Sequence, residues 1–413
     1  MVFLLIVLAL PTVTLLWWIL AHRAARDLTG RWTLGLRIAV GAFAALHLTG
    51  LAVLIGGRML EAPAPIPVPI LVSTYVWYFF VVPFLLTPFV AWRAGVETLA
   101  WWQARRQPAP AEIEEPEEIA MEEEPEDFDP SPVLTRRQML LGATLVAPPL
   151  INIVGTGNAL AALDDFRVRE LDVPVAGLPP ALNGLRIAHL SDTHVGKFTN
   201  GAILDAIAER ANALGADMMV VTGDIIDNSL TVLPETIRFL KRLWAPSGVW
   251  MCEGNHDLFE SRETFEEGLK GAGLNLLVNE SARVTVRGEN VELIGLRWGG
   301  FGSRRNPDIR DNLRAALATS PADDAFRILL AHHPNAAEYA ARKKIPLTLA
   351  GHTHGGQLML TPSIGVGPLL FRYWSGFYRV GESSLVVSNG TGNWFPLRLN
   401  SPAEILLLTL RAA

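Results

Sequence analysis

Apolar residues follow two patterns along the chain: long runs before position 93, and short runs of four to six after position 166. Residues 2–20 form an uncharged run containing Pro11. Residues 34–55 form a second, broken only by Arg37 and His47, and residues 66–92 a third, rich in aromatics and proline. About 20 apolar residues cross the hydrocarbon core of a bilayer, so each run predicts a membrane-spanning helix. Pro11, Pro83 and Pro88 fit such helices where neighbours satisfy the freed carbonyls. His47 reads as a packed histidine rather than an intramembrane site.

Arginines orient these helices. Arg23, Arg26 and Arg31 lie in the first connection, Arg58 alone in the second, and Arg93, Arg105 and Arg106 after the third run. Basic connections stay in the cytoplasm, which places the N-terminus outside. Residues 1–106 therefore read as an all-α transmembrane region with three helices. Residues 107–134, with prolines and glutamate runs that cannot supply a core, read as a disordered acidic linker.

Residues 135–161 open with Thr135-Arg136-Arg137-Gln138-Met139, continue through an apolar stretch and close on Ala159-Leu160-Ala161. This is similar to a twin-arginine export signal, which would make that export machinery a partner. A fourth transmembrane helix is the other reading. Both place residues 162–413 on the outer face of a cytoplasmic membrane. A hydrophobic hairpin that does not cross, supported by Pro148, Pro149, Gly155 and Gly157, would leave them inside.

From Phe166 onward, short apolar runs alternate with helical stretches, the pattern of an α/β domain. Five runs end in polar clusters. The run at 185–190 leads to Ser191-Asp192-Thr193-His194, and 217–221 to Thr222-Gly223-Asp224. The run at 248–252 leads to Gly254-Asn255-His256-Asp257, 326–330 to His332-His333, and 345–349 to Gly351-His352-Thr353-His354. Open α/β sheets assemble sites at the carboxyl ends of their strands. His189 and Cys252 fall within strands and read as core residues.

Composition modifies this picture in three places. Half of the chain is hydrophobic and only 18% charged, against about 25% charged in an ordinary soluble domain, which argues against a wholly soluble protein. The formal charge of −6 comes from one segment: of 41 acidic residues, eleven lie between Glu112 and Asp129, leaving 30 against 35 bases elsewhere. No basic, aromatic-interleaved stripe points to nucleic acid. One cysteine excludes an intrachain disulfide and a multi-cysteine zinc site.

Imidazoles and carboxylates together suit manganese, iron, cobalt, nickel or zinc rather than magnesium or calcium. Two such divalent ions sharing one carboxylate can activate water and clamp a phosphate ester.

Asp-x-His, Gly-Asp, Gly-Asn-His-Asp, a strand-end histidine and Gly-His-x-His, in this order, resemble the calcineurin-like metallophosphoesterase superfamily. Gly351 to Gln357 and Pro402 to Ile405 are similar to its membrane-anchored branch of YkuE-like proteins and transmembrane proteins with a metallophosphoesterase domain. The resemblance implies a four-layer α/β/β/α sandwich over 162–413, its second sheet built from Val284 to Ile294 and the β-rich stretch from Leu358 to Leu410. It implies Asp192, His194 and His354 at one metal, Asp224 bridging, and Asn255, His332 and His352 at the other.

His256 would then contact the scissile phosphate and Asp257 would orient it. The family's usual Arg-Gly is replaced by Ser388-Asn389-Gly390. Trp374, Phe377, Tyr378, Trp394 and Phe395 read mainly as core, with a place at the mouth of the site as the other reading. The implied activity is hydrolysis of a phosphomonoester, phosphodiester or pyrophosphate by a metal-bridging hydroxide. A lipid-linked substrate such as UDP-2,3-diacylglucosamine of lipid A synthesis is one candidate. A non-enzymatic membrane sensor or scaffold retaining the metal-binding fold is the alternative.

Overall fold

A computed structural model describes residues 2–26, 33–59, 66–106, 136–299, 307–320 and 325–413. The acidic linker expected at 107–134 lies outside these. The chain divides into two compact units, Met1–Asn158 and Ala159–Ala413.

In the first unit the apolar runs become helices: α1 (Val2–Arg26), α2 (Thr33–Met59), and α3 (Val68–Val76) continuing into α4 (Thr87–Arg106). Between α3 and α4 the helix widens into π turns over Trp77–Leu86. Pro83 has no N–H to give there, and the Thr87 hydroxyl donates to Val82 O at 2.9 Å. His47 is fully buried, with Nδ1 2.8 Å from Phe43 O and Nε2 3.1 Å from Ser73 Oγ, the packed histidine expected of it. α5 (Arg136–Ala162) is one continuous helix through Pro148 and Pro149, not a hairpin. Among the described residues, Thr33–Gly57, Val68–Gln103 and Leu145–Ala162 are long and apolar enough to cross a membrane.

The second unit holds two six-stranded sheets. Its strands are β1 (Phe166–Val175), β2 (Arg186–Leu190), β3 (Met218–Thr222), β4 (Val249–Cys252), β5 (Asn275–Leu276), β6 (Glu280–Val286) and β7 (Glu289–Gly295). They continue with β8 (Phe326–Leu330), β9 (Leu347–Ala350), β10 (Met359–Thr361), β11 (Ile364–Gly365), β12 (Gly376–Val380), β13 (Ser383–Val387) and β14 (Ala403–Ala412). One sheet runs β1-β14-β2-β3-β4-β5, the other β12-β13-β9-β8-β7-β6, and β10-β11 form a small hairpin.

Period-two alternation sends successive side chains to opposite faces of each sheet. Ile187, Met218, Val220, Leu406 and Leu408 pack between the sheets against Leu293, Ile328, Leu347 and Val386. Ala188, Met219, Val221, Ile405 and Leu407 face the helices α6 (Gly201–Ala213), α7 (Leu233–Arg242) and α8 (Arg262–Gly271). Ile294 and Leu329 face α9 (Pro307–Ala318) and α10 (Ala336–Arg342) on the far side. The result is four layers, α/β/β/α.

One expectation is corrected. The C-terminal stretch supplies β12 and β13 to the second sheet, but β14 joins the first, parallel to β1 and antiparallel to β2.

Candidate metal centre

The motif strands deliver their clusters from both sheets. β2, β3 and β4 are parallel neighbours in one, β8 and β9 in the other, so each set of carboxyl ends opens on one edge. Backbone hydrogen bonds lace the loops beyond them: Asp192 N donates to Gly223 O and His194 N to Asp224 O, both at 3.0 Å, and Gly351 N donates to His332 O at 3.1 Å. Asp192, His194, Asp224, His352 and His354 all have positive φ, between 46° and 73°. Asp and His tolerate this region better than most side chains, yet clustering of such residues marks a site that its surroundings hold in place.

Two groups of side chains converge. In the first, His354 Nε2 lies 3.2 Å from Asp192 Oδ1 and 3.1 Å from His194 Nε2. In the second, His332 Nε2 lies 3.0 Å from Asp224 Oδ2 and 3.3 Å from His352 Nδ1. Asp224 joins them, since its Oδ2 is also 3.7 Å from His194 Nε2. Asn255 stands between Gly254 and His256. The His256 N–H donates to Asp224 Oδ1 at 2.8 Å, and a methyl on Gly254 would collide with Asp224. Six of the seven residues proposed from the sequence as ligands thus converge on one recess, and the seventh, Asn255, lies in the loop whose backbone bonds to Asp224. His333 packs against Trp298 and His352.

The electrostatics suit cations. Burial, reinforced by neighbouring imidazoles, pushes His194 and His352 well below their ordinary values, and burial lowers His354. Burial thus favours the uncharged form of these rings, the form with a lone pair to offer. Burial would lower His332 too, but the Asp224 and Asp192 carboxylates outweigh it and raise it to about 9. Burial would raise Asp192, yet the facing His354 and His332 hold it well below the carboxylate range. Asn255 Oδ1 is buried without a hydrogen-bond partner, and such an orphan acceptor is what a bound cation would satisfy. The donor set fits two divalent ions.

Sequence reasoning mispaired one residue and missed three. Asp257, expected to orient His256, accepts from Ile225 N, Ile226 N and Gly254 N at 2.8–2.9 Å and braces the loops. The carboxylate facing the His256 ring is Asp227: its Oδ1 is 3.4 Å from Nδ1, and its carbonyl also contacts Nδ1. Burial would depress the His256 pKa, but Asp227 and Asp224 overcome this and raise it.

Arg398 is half-buried and donates to Asn389 O, Gly392 O and Asn393 Oδ1 at 2.7–2.8 Å, and to His354 Nδ1 at 3.0 Å. Trp298 rests on His352 and His332 at 5.1 and 5.5 Å between ring centroids. Of the aromatics weighed from the sequence, Trp394 is 40% exposed and 5.9 Å from the His256 ring, so it belongs to the mouth; Phe395 is buried. His189 and Cys252 are fully buried in their strands, as expected.

A family model described as calcineurin-like phosphoesterase matches residues 185–356. The chain is 32% identical over 287 residues to the transmembrane protein with metallophosphoesterase domain of Danio rerio, a match covering 65% of this chain and 63% of that protein. It is 31% identical over 294 residues to the uncharacterized metallophosphoesterase YkuE of Bacillus subtilis, covering 68% of this chain and 98% of the relative. To the phosphodiesterase YaeI of Escherichia coli it is 31% identical over 238 residues, covering 54% and 82%.

Proposed function

The chain belongs to the calcineurin-like metallophosphoesterase family, and from that membership we propose that it is a membrane-anchored phosphoester hydrolase using two divalent transition-metal ions. The observation that carries this reading is the convergence of two imidazole–carboxylate groups on Asp224. Asp192, His194 and His354 would hold one ion, Asn255, His332 and His352 the other, with Asp224 between them. Such a pair supplies Lewis acidity toward a phosphoryl oxygen and lowers the pKa of water.

The chain's own residues do the rest. His256, whose pKa Asp227 and Asp224 raise against the effect of burial, faces the recess with its edge against His194 at 4.6 Å. From there it donates a hydrogen bond to a phosphoryl oxygen or a proton to the departing one. Aromatic rings of Trp298, Phe259 and Trp394 border the recess, which favours a substrate with an apolar portion. α5 and the preceding helices would tether the unit as a multi-pass membrane protein with its catalytic face outside.

Full-length protein purified in detergent and loaded with manganese should carry two ions per chain and turn over a chromogenic phosphodiester. Asp224→Ala should retain less than one ion and lose activity by about 100-fold or more. No turnover with any transition metal, or equal turnover by Asp224→Ala, overturns the hydrolase reading. Two retained ions without turnover would make the chain a sensor or scaffold.

A further inference from the structure

The second unit carries an apolar surface that its cores do not use. Leu360, Ile364, Leu369 and Leu370 are 70%, 59%, 80% and 66% exposed, and all belong to the β10–β11 hairpin and the adjoining α11 (Val366–Leu370). Single exposed leucines are ordinary; four on one short excursion are not. No charged residue occurs between Gln357 and Arg372. The base of the excursion is fixed: Met359 is buried, and Asn400 Nδ2 donates to Met359 O and Leu360 O at 2.9 and 3.2 Å. The tips are therefore presented outward by a rigid support.

What lies beside that support identifies the occupant. Asn400 and Arg398 line a depression together with Ala162 and Asp165. Ala162 is the last residue of the membrane-span candidate Leu145–Ala162, and only three residues separate it from β1. The point where the chain leaves α5 and the base of the apolar excursion thus share one surface. At its other end the excursion reaches the metal recess, where the Phe371 ring lies 6.0 Å from that of His352.

We propose that residues 358–371 rest in the interfacial layer of the bilayer that holds α5, setting the metal recess at headgroup height. The proposal rests on the membrane reading of α5. Apolar groups at such an interface sit about 5–10 Å deep, at the headgroup–acyl boundary.

The test uses full-length protein, one chain per lipid nanodisc, with an environment-sensitive fluorophore on Leu369→Cys. Cys252 is fully buried, so the introduced thiol takes the label. Labels on Val154→Cys in α5 and on the exposed Glu267→Cys serve as controls. Nitroxide lipids are spin-labelled either near the headgroup or near the chain end. At Leu369 the expected result is a blue-shifted emission quenched more strongly by the headgroup-proximal nitroxide, with no quenching at Glu267.

Quenching at Val154 without quenching at Leu369 overturns the docking surface alone. A blue shift at Leu369 without quenching means that protein covers it, such as a second copy, and overturns it equally. Absence of quenching at Val154 removes the membrane reading and the proposal with it.

Discussion

Two aspartates compete for the role of partner to His256, and their hydrogen bonds separate them. Asp227 faces the ring, so Asp227→Asn should lower turnover by about 10–100-fold and shift the alkaline limb of the pH–rate profile to lower pH, because a raised imidazole pKa loses a support. Asp257 holds three backbone N–H groups. Asp257→Asn should cost about 1–3 kcal/mol of stability, read by chemical denaturation, because an amide keeps one acceptor oxygen where the carboxylate had two. The family resemblance pointed to Asp257. Asp227 meets His256 from 29 positions away because β3 and β4 are neighbours, a relation that one sequence does not display.

His189 was legible, since a histidine inside an apolar run has to be packed. Its Nε2 lies 2.8 Å from Thr222 Oγ1, and burial drives its pKa down to about 3. Unfolded, it titrates near 6.5, so between those values only the unfolded chain binds the proton. Its contribution is complete above about pH 6.5 and is lost as pH falls toward 3. The unfolding free energy of His189→Gln, read by chemical denaturation, should therefore decline less steeply with acid than that of the parent, by up to about 1.4 kcal/mol per pH unit.

At the scale of elements, the strand ends were readable and their partners were not. Alternation and terminal polar clusters locate β2, β3, β4, β8 and β9, because a strand buried on both faces must be apolar until it emerges. β14 carries the same apolar signature as any interior strand, and its pairing between β1 and β2 depends on which slot is open, information absent from its residues. The glycines show how tightly these ends meet. A methyl on Gly351 would collide with Ser191 Oγ and Asp192 Oδ2, so β9's loop packs directly on β2's. Gly351→Ala should cost about 1–3 kcal/mol through overpacking. It should also reduce bound metal below two ions per chain, measured by elemental analysis, while distant Gly273→Ala keeps both ions.

At the scale of the molecule, the deciding quantity is the side of the membrane on which the metal recess lies. α1, α2 and the α3–α4 pair follow the apolar runs of the sequence; among the described residues the candidate spans are α2, the α3–α4 helix and α5, the last one continuous helix. A helix that crosses carries the following residues to the opposite face, whereas a hairpin would return them; continuity through Pro148 and Pro149 favours crossing. On that reading Arg93 before the linker and Arg136-Arg137 at the start of α5 would share one side, which the bias of basic residues would make the cytoplasmic one. A periplasmically active phosphatase fused after Ala413 should be active, and a cytoplasm-only fluorescent reporter fused there should be dark. Replacing Arg136 and Arg137 by glutamine weakens the retention of that end, so the phosphatase signal should fall as a fraction of chains inserts the other way. A bright cytoplasmic reporter in the parent chain would place the recess inside and restrict its substrates to phosphoesters of the inner leaflet and cytoplasm.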